Sequence, residues 1–306
     1  MTQKKGISHS WRVFNQKLMV GLLKSLSYLP LPVLYFLSDL MYLLVVYVVG
    51  YRHKVIDENL KYSFPEKSNE ERDAIRKKFY RHFCDLSVET IKMYSMKEEE
   101  LRRRMTFNTD ALDKAWLGGT GIIVLLMHYN NWEWISYIQK KVDFKVLGVF
   151  NQMRDNVAFD EFLLDSRKRW GAELVVMNHA ARTAFDYKNK NIPALLWLAA
   201  DQSAPPNSQF WATFLNREAP FFGGPVKLAQ KLDQPIYFQK VKKVGRGRYE
   251  TDFTLLFKEP SKVDAAEILG TYIQKMEELI RETPEYYLWS HRRWKHRRPK
   301  GTELIC

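Results

Sequence analysis

The sequence predicts an α/β protein: a mixed, mainly parallel sheet covered by helices, preceded by a helical N-terminal membrane-anchoring segment. From about Gly118 onward, short apolar runs alternate with amphipathic stretches, the texture of strand–helix–strand units. From Val33 to Tyr51 the chain reads VLYFLSDLMYLLVVYVVGY, interrupted only by Ser38 and Asp39. At about 1.5 Å rise per residue this stretch nearly crosses a ~30 Å hydrocarbon core. A mean hydropathy of −0.38 over the chain excludes a polytopic membrane protein, so the apolar stretch reads as a single anchor.

Taken in order, LMVGLLKSLSYLPLP precedes the anchor and is broken by Lys24, Pro30 and Pro32. Basic residues flank both sides, Lys17 and Lys24 before and Arg52 and Lys54 after, so charge bias leaves the orientation open. Asp39 allows a helix lying in the interface instead of spanning it. No short apolar core ends in a small-residue cleavage site, so a cleaved signal peptide is not expected. Residues 52–105 read as helical and highly charged. Ile75, Phe79, Phe83, Leu86 and Ile91 recur at helical spacing behind an N-cap at Ser68 or Asn69.

Strands are predicted at GIIVLLM, KVLGVF, ELVVM and IPALLWLA, and helices at NWEWISYIQKKV, NVAFDEFLLDSRKRWG, Ala180–Tyr187 and GGPVKLAQKL. PIYFQKVKK and YETDFTLLF form an antiparallel pair joined by a GRGR turn, and a last helix covers Ala265–Glu282. The organisation is then a basic segment and anchor at 1–51, a helical lead-in at 52–117, and an α/β core with a basic aromatic tail at 118–306.

The 306 residues carry a net charge of +13, which implies anionic company: nucleic acid, an acidic protein or anionic lipid. Two distant cysteines, Cys84 and Cys306, give neither a disulfide framework nor metal-type spacing. No H-E-x-x-H occurs, so no metal is expected.

The stretch GIIVLLMHYNNWEW ends an apolar run in His128, with Glu133 five positions later. In a continuous helix or strand the two side chains would diverge. They converge only if a strand ends at Met127, the chain turns over His128–Asn130, and a helix begins near Asn131. Asn130 or Asn131 would cap it. That places His128 at the carboxyl end of a strand, where open α/β sheets bind ligands. A neutral imidazole there can take a proton from a hydroxyl as it attacks an acyl carbonyl, with a carboxylate fixing its tautomer. No Ser or Cys nucleophile adjoins the pair, which favours direct acyl transfer. The alternative is a buried strand followed by an aromatic-rich turn.

HYNNWE resembles the H-x4-D/E box of the glycerolipid and lipid A acyltransferases. ENLKYSFPE at 58–66, AADQSAPPN, FLNREAPFFGGPVKLAQKLDQPI and PEYYLWSHRRWKHRRP are similar, in order along nearly the whole chain, to segments of the late acyltransferases of lipid A biosynthesis. The resemblance implies transfer of a fatty acyl chain from acyl carrier protein, or from acyl-CoA as co-substrate, to a hydroxyl of a lipid A precursor. It implies no cofactor, and a site at the bacterial inner membrane, on its cytoplasmic face. It assigns His128 as base, Glu133 as its partner, and Arg167 and Asn156 to substrate binding. Asn151 stands where the family often carries a basic residue, and Arg154 follows three positions later.

Asp201 and Gln202 end a predicted strand and are candidate substrate contacts, Asp201 alternatively a loop cap. Gly223 and Gly224 open a helix whose free N–H groups suit an oxyanion or phosphate, or are a plain helix start. The tail interleaves Arg292, Arg293, Lys295, Arg297 and Arg298 with Trp289 and Trp294, suiting anionic headgroups, an acidic carrier protein, or solvent. A lysophospholipid or aminolipid acceptor is the alternative within the same chemistry. A basic nucleic-acid-binding protein is the alternative outside it, opposed by the apolar anchor and the absence of a nucleic-acid fold signature.

Overall fold

The structure is a computed structural model; it describes residues 2–153 and 155–305, with side chains from residue 11. Helix α1 (Thr2–Ser27) ends ahead of Pro30, and α2 (Leu31–Leu43) continues as a π-type helix through Val49, closed by Gly50 in the left-handed region. The apolar stretch is thus one helix from Leu31 to Val49, long and apolar enough to cross a membrane. Leu34, Ser38 and Tyr42 of α2 are buried against the domain, while Phe36, Leu40, Leu43 and Tyr47 are exposed. The chain continues through α3 (His53–Ser63) and α4 (Asn69–Met93). Ser68 caps α4 in a capping box with Glu71: each side chain accepts from the other's backbone N–H.

Next come α5 (Glu98–Arg104), β1 (Met105–Phe107), α6 (Asp110–Leu117) and β2 (Ile122–Leu126). A 3-10 helix at Trp134–Lys140 leads to β3 (Lys145–Phe150), α7 (Val157–Lys168), β4 (Glu173–Val176), α8 (Ala180–Asn189) and β5 (Ala194–Ala199). The hairpin β6 (Phe210–Phe214) and β7 (Arg217–Phe221) precedes α9 (Gly224–Leu232). The long hairpin β8 (Ile236–Gly245) and β9 (Arg248–Phe257) is followed by α10 (Ala265–Glu282).

Seven strands form one sheet in the order β1-β9-β8-β2-β5-β3-β4; only β8–β9 is antiparallel. The predicted mixed, mainly parallel sheet is what the chain builds, and β1, within the helical lead-in, supplies one edge. Strand β2 lies in the middle, paired in parallel with both β5 and β8, and all five of its residues are buried. Its alternate residues feed two cores: Ile123 and Leu125 pack with α9 and α10, and Ile122, Val124 and Leu126 with Trp134 and Val88. A strand covered on both faces needs no polar side chain, which is why GIIVLLM reads as an unbroken apolar run.

The GRGR turn closes β8–β9 against α2. Gly247 has φ +65° and a Cβ there would strike the Tyr35 hydroxyl, so both backbone and space require glycine.

Candidate active site

The backbone bends where β2 ends. Tyr129 N–H donates to the Met127 carbonyl at 2.8 Å, and Asn130 takes φ +53°, a left-handed conformation that asparagine tolerates. Asn130 is pinned on both sides: its N–H donates to the Tyr286 carbonyl and its Nδ2 to the Val241 carbonyl. Asn131 then caps the next segment, its Oδ1 accepting from Glu133 N–H at 3.1 Å and Trp134 N–H at 2.9 Å. The predicted strand, turn and cap are all present, but the helix expected over 131–142 is the 3-10 helix Trp134–Lys140.

The partners across this bend differ from the expectation. His128 is oriented by Asp201, not Glu133: Nδ1 lies 2.8 Å from Asp201 Oδ1, and the His128 backbone N–H donates to Asp201 Oδ2 at 3.1 Å. Asp201 sits just past the end of β5, the parallel neighbour of β2, so adjacent carboxyl ends bring the two together. With a carboxylate accepting at Nδ1, the neutral ring carries its proton there and turns the Nε2 lone pair outward as an acceptor. Gln202 Nε2 lies 3.4 Å from Nε2, and Trp132 packs edge-on to the ring.

Glu133 is taken up by Arg167, the residue near the end of α7. The guanidinium holds both carboxylate oxygens at 2.7 Å through Nε and Nη2, a bidentate geometry that favours Arg over Lys. Arg167 Nη1 has no protein partner among the described residues. Arg167 is therefore half of a buried ion pair and not a helix-surface arginine; its side chain is 25% exposed and that of Glu133 6%. Glu133 still contributes its charge to the field at His128.

Four titratable groups thus lie together in one site. Burial alone would lower the His128 pKa, but the charge and hydrogen bond of Asp201 outweigh it, and the net shift is upward. Burial would raise both carboxyls, but Asp201 is held low by His128 and Glu133 by Arg167. Arg167 is itself raised, since Glu133 outweighs its burial. Replacing Arg167 by Ala leaves a buried carboxylate without a counter-charge. It is expected to cost about 3 kcal/mol of stability, read as a lower thermal midpoint in detergent. The double change Glu133→Gln with Arg167→Met should recover most of it.

Other candidates fall elsewhere. Asn156 caps α7, its Oδ1 accepting from Phe159 N–H. Gly223 and Gly224 line a separate cavity of about 330 Å³ with Ser208, Phe210 and Lys227; none of His128, Glu133, Arg167 and Asp201 borders it. A Cβ on Gly223 would strike the Phe210 ring, so packing alone requires that glycine. Asn151 is exposed, and Arg154 and Cys306 lie outside the described residues. Cys84 is buried.

The basic tail is not a solvated arm. Trp289 and Arg293 are fully buried. Arg293 stacks on Phe221, its guanidinium 4.2 Å from the ring centroid, and donates to the Pro220 carbonyl. His291, which burial pushes down to about 4, stays neutral and accepts from Ser203 N–H at 3.2 Å. It thereby steadies the loop that carries Asp201 and Gln202.

Beneath the bend lies Glu89 of α4, fully buried. It accepts from Tyr35 of α2, Tyr249 of β9 and Asn131 Nδ2, at 2.7–2.8 Å. Burial raises its pKa.

Comparison with known proteins identifies the class. The family described as bacterial lipid A biosynthesis acyltransferase matches residues 2–296. The protein is an acyltransferase. It belongs to the bacterial lipid A biosynthesis acyltransferase family. A lipid A biosynthesis lauroyltransferase of Escherichia coli (strain K12) is 26% identical over 298 residues, 92% of this chain and 91% of that protein. Among solved structures, the 1-acyl-sn-glycerophosphate (LPA) acyltransferase of Thermotoga maritima aligns over 88% of this chain and 97% of its own, with a TM-score of 0.36 and 13% identity.

Proposed function

We propose that the protein transfers a fatty acyl chain from a carrier thioester, acyl carrier protein before acyl-CoA, to a hydroxyl of a lipid A precursor. The observation that carries the mechanism is the His128 ring held by Asp201 at Nδ1, with only the long 3.4 Å contact of Gln202 at Nε2. In this reading the acceptor hydroxyl gives its proton to Nε2 as its oxygen bonds to the thioester carbon. Asp201 stabilises the imidazolium that forms. The tetrahedral oxyanion collapses, the C–S bond breaks, and the thiolate recovers the proton from Nε2. Arg167, with one nitrogen uncommitted, is suited to the oxyanion or to an acceptor oxygen, and Glu133 holds it in place. Gln202 lies where it can steady the incoming hydroxyl.

The exposed apolar face of α2 and the net charge of +13 support residence at a membrane with anionic lipid. We place the domain on the cytoplasmic face of the bacterial inner membrane, where carrier thioesters are available. Mass spectrometry of lipids from cells lacking the protein tests the acceptor. Loss of one fatty acyl group from lipid A is the expected result, and loss from a phospholipid with lipid A intact would overturn it.

A further inference from the structure

One strand over from His128, a second cavity opens at the same carboxyl edge of the sheet. It has a volume of about 330 Å³, at the small end of ligand pockets (~300–1,000 Å³). Its walls come from α4, the tip of the β8–β9 hairpin and residues 285–286. None of the residues that pair around His128 lines it.

The lining is cationic beyond what its own acids neutralise. Lys78, Arg81, Lys243 and Arg246 face two carboxylates, Asp85 and Glu285. Arg246 is consumed, because Asp85 and Asp39 of the anchor helix bind it from two sides. Lys78 is 3.7 Å from Glu285, and Lys243 3.7 Å from Asp85. Arg81 has no carboxylate partner among the described residues and lies over the Tyr42 ring, 4.8 Å from its centroid.

At the back of the cavity is His82, 4% exposed. Lys243 Nζ lies 3.3 Å from its Nδ1, so Nδ1 accepts and the proton sits on Nε2. Nε2 is enclosed by protein, with the Asn130 backbone beside the ring. Burial and the Lys243 charge both hold the ring neutral, the Asn130 backbone working in the weaker, opposite sense. Arg81, with Lys78 and Lys243 held only loosely by their carboxylates at 3.7 Å, leaves donors for an oxyanion carrying several acceptors.

We propose that this cavity is a phosphate site that takes the headgroup of an anionic membrane lipid, distinct from the acyl-transfer centre. The anchor helix argues for a lipid source: Arg246 and Arg81 rest on Tyr35 and Tyr42 of that helix, so the cavity lies alongside the element with the exposed apolar face. Asn130 joins the two sites. Its neighbour in the chain, Tyr129, follows His128, and its N–H is bonded to Tyr286 in the cavity wall.

The test uses the full chain in dodecyl maltoside micelles, titrated with dihexanoyl phosphatidic acid, dihexanoyl phosphatidylcholine or inorganic phosphate. Neither lipid has a free hydroxyl on its glycerol, so neither can act as an acyl acceptor. Saturable binding is expected for phosphatidic acid, with Kd weakened ~10-fold or more by Arg81→Gln and by Lys243→Gln, from the size of a charge-assisted hydrogen bond. Far-UV circular dichroism and the ligand-free thermal midpoint establish that both variants are folded. His128→Ala should bind as the parent does while losing acyl transfer, so this proposal and the mechanism fail separately. Equal affinity for phosphatidylcholine, or affinity untouched in both cavity variants, overturns the site. Inorganic phosphate binding as tightly as phosphatidic acid overturns the headgroup assignment.

Discussion

His128→Ala is expected to lower kcat/KM for acyl transfer by ~10²–10⁴-fold, the range for losing a general base. The ring is only partly buried, 22% exposed, and its main protein contacts are the Asp201 carboxylate and the edge of Trp132. Removing it therefore takes out chemistry more than packing. Asp201 would be left buried without its principal counter-charge, so thermal melts should accompany the assay. Product formation from acyl carrier thioester and lipid acceptor, measured by mass spectrometry, checks the loss. Turnover within a few-fold of the parent would remove His128 from the reaction.

The second large effect is expected from Asp201→Asn, which keeps the shape and discards the charge. An amide in that place can present its NH2 to Nδ1 and favour the wrong tautomer, a change that costs up to ~10⁴-fold in acid–histidine pairs. We expect ~10³. The pH profile carries an independent sign. The base must be neutral to act, so activity rises with pH through the His128 inflection. In the parent that inflection lies above the ordinary imidazole value of about 6.5, because Asp201 more than offsets burial. With asparagine, burial is less opposed and the inflection should move to lower pH. A profile unmoved by the substitution would mean that Asp201 does not set the ring's proton affinity.

Much of this molecule is legible in its sequence where the cause is local. The strand at Lys145–Phe150, the helix at Ala265–Glu282 and the Ser68 cap follow from periodicity and capping chemistry within a few residues. The bend after His128 is also local, since an apolar run meeting Tyr-Asn-Asn cannot continue as a strand. The identity of the acid behind the imidazole is not. Asp201 reaches His128 only because β5 lies beside β2, a register set by the packing of the whole sheet. Spacing along the chain pointed to Glu133, but spacing does not reveal that Arg167 from α7 claims both of its oxygens. The hairpin β6–β7 escaped for a different reason. It turns through Leu215 and Asn216 at φ +48° and +67°, a conformation usually announced by Asn-Gly or Asp-Gly, and Leu carries no such signal.

Glu89 bears on how the enzyme meets its greasy substrates. One carboxylate grips a tyrosine from the apolar helix, a tyrosine from the long hairpin and the asparagine that caps the segment after His128. These three parts share a single footing, which on the proposed reading ties the portion that rests in lipid to the portion that does chemistry. With α2 at a membrane, as proposed, the elevation of the imidazole above the leaflet would be set by covalent lengths and three short bonds. A fatty chain drawn up from below would then meet the proposed base at a constant depth.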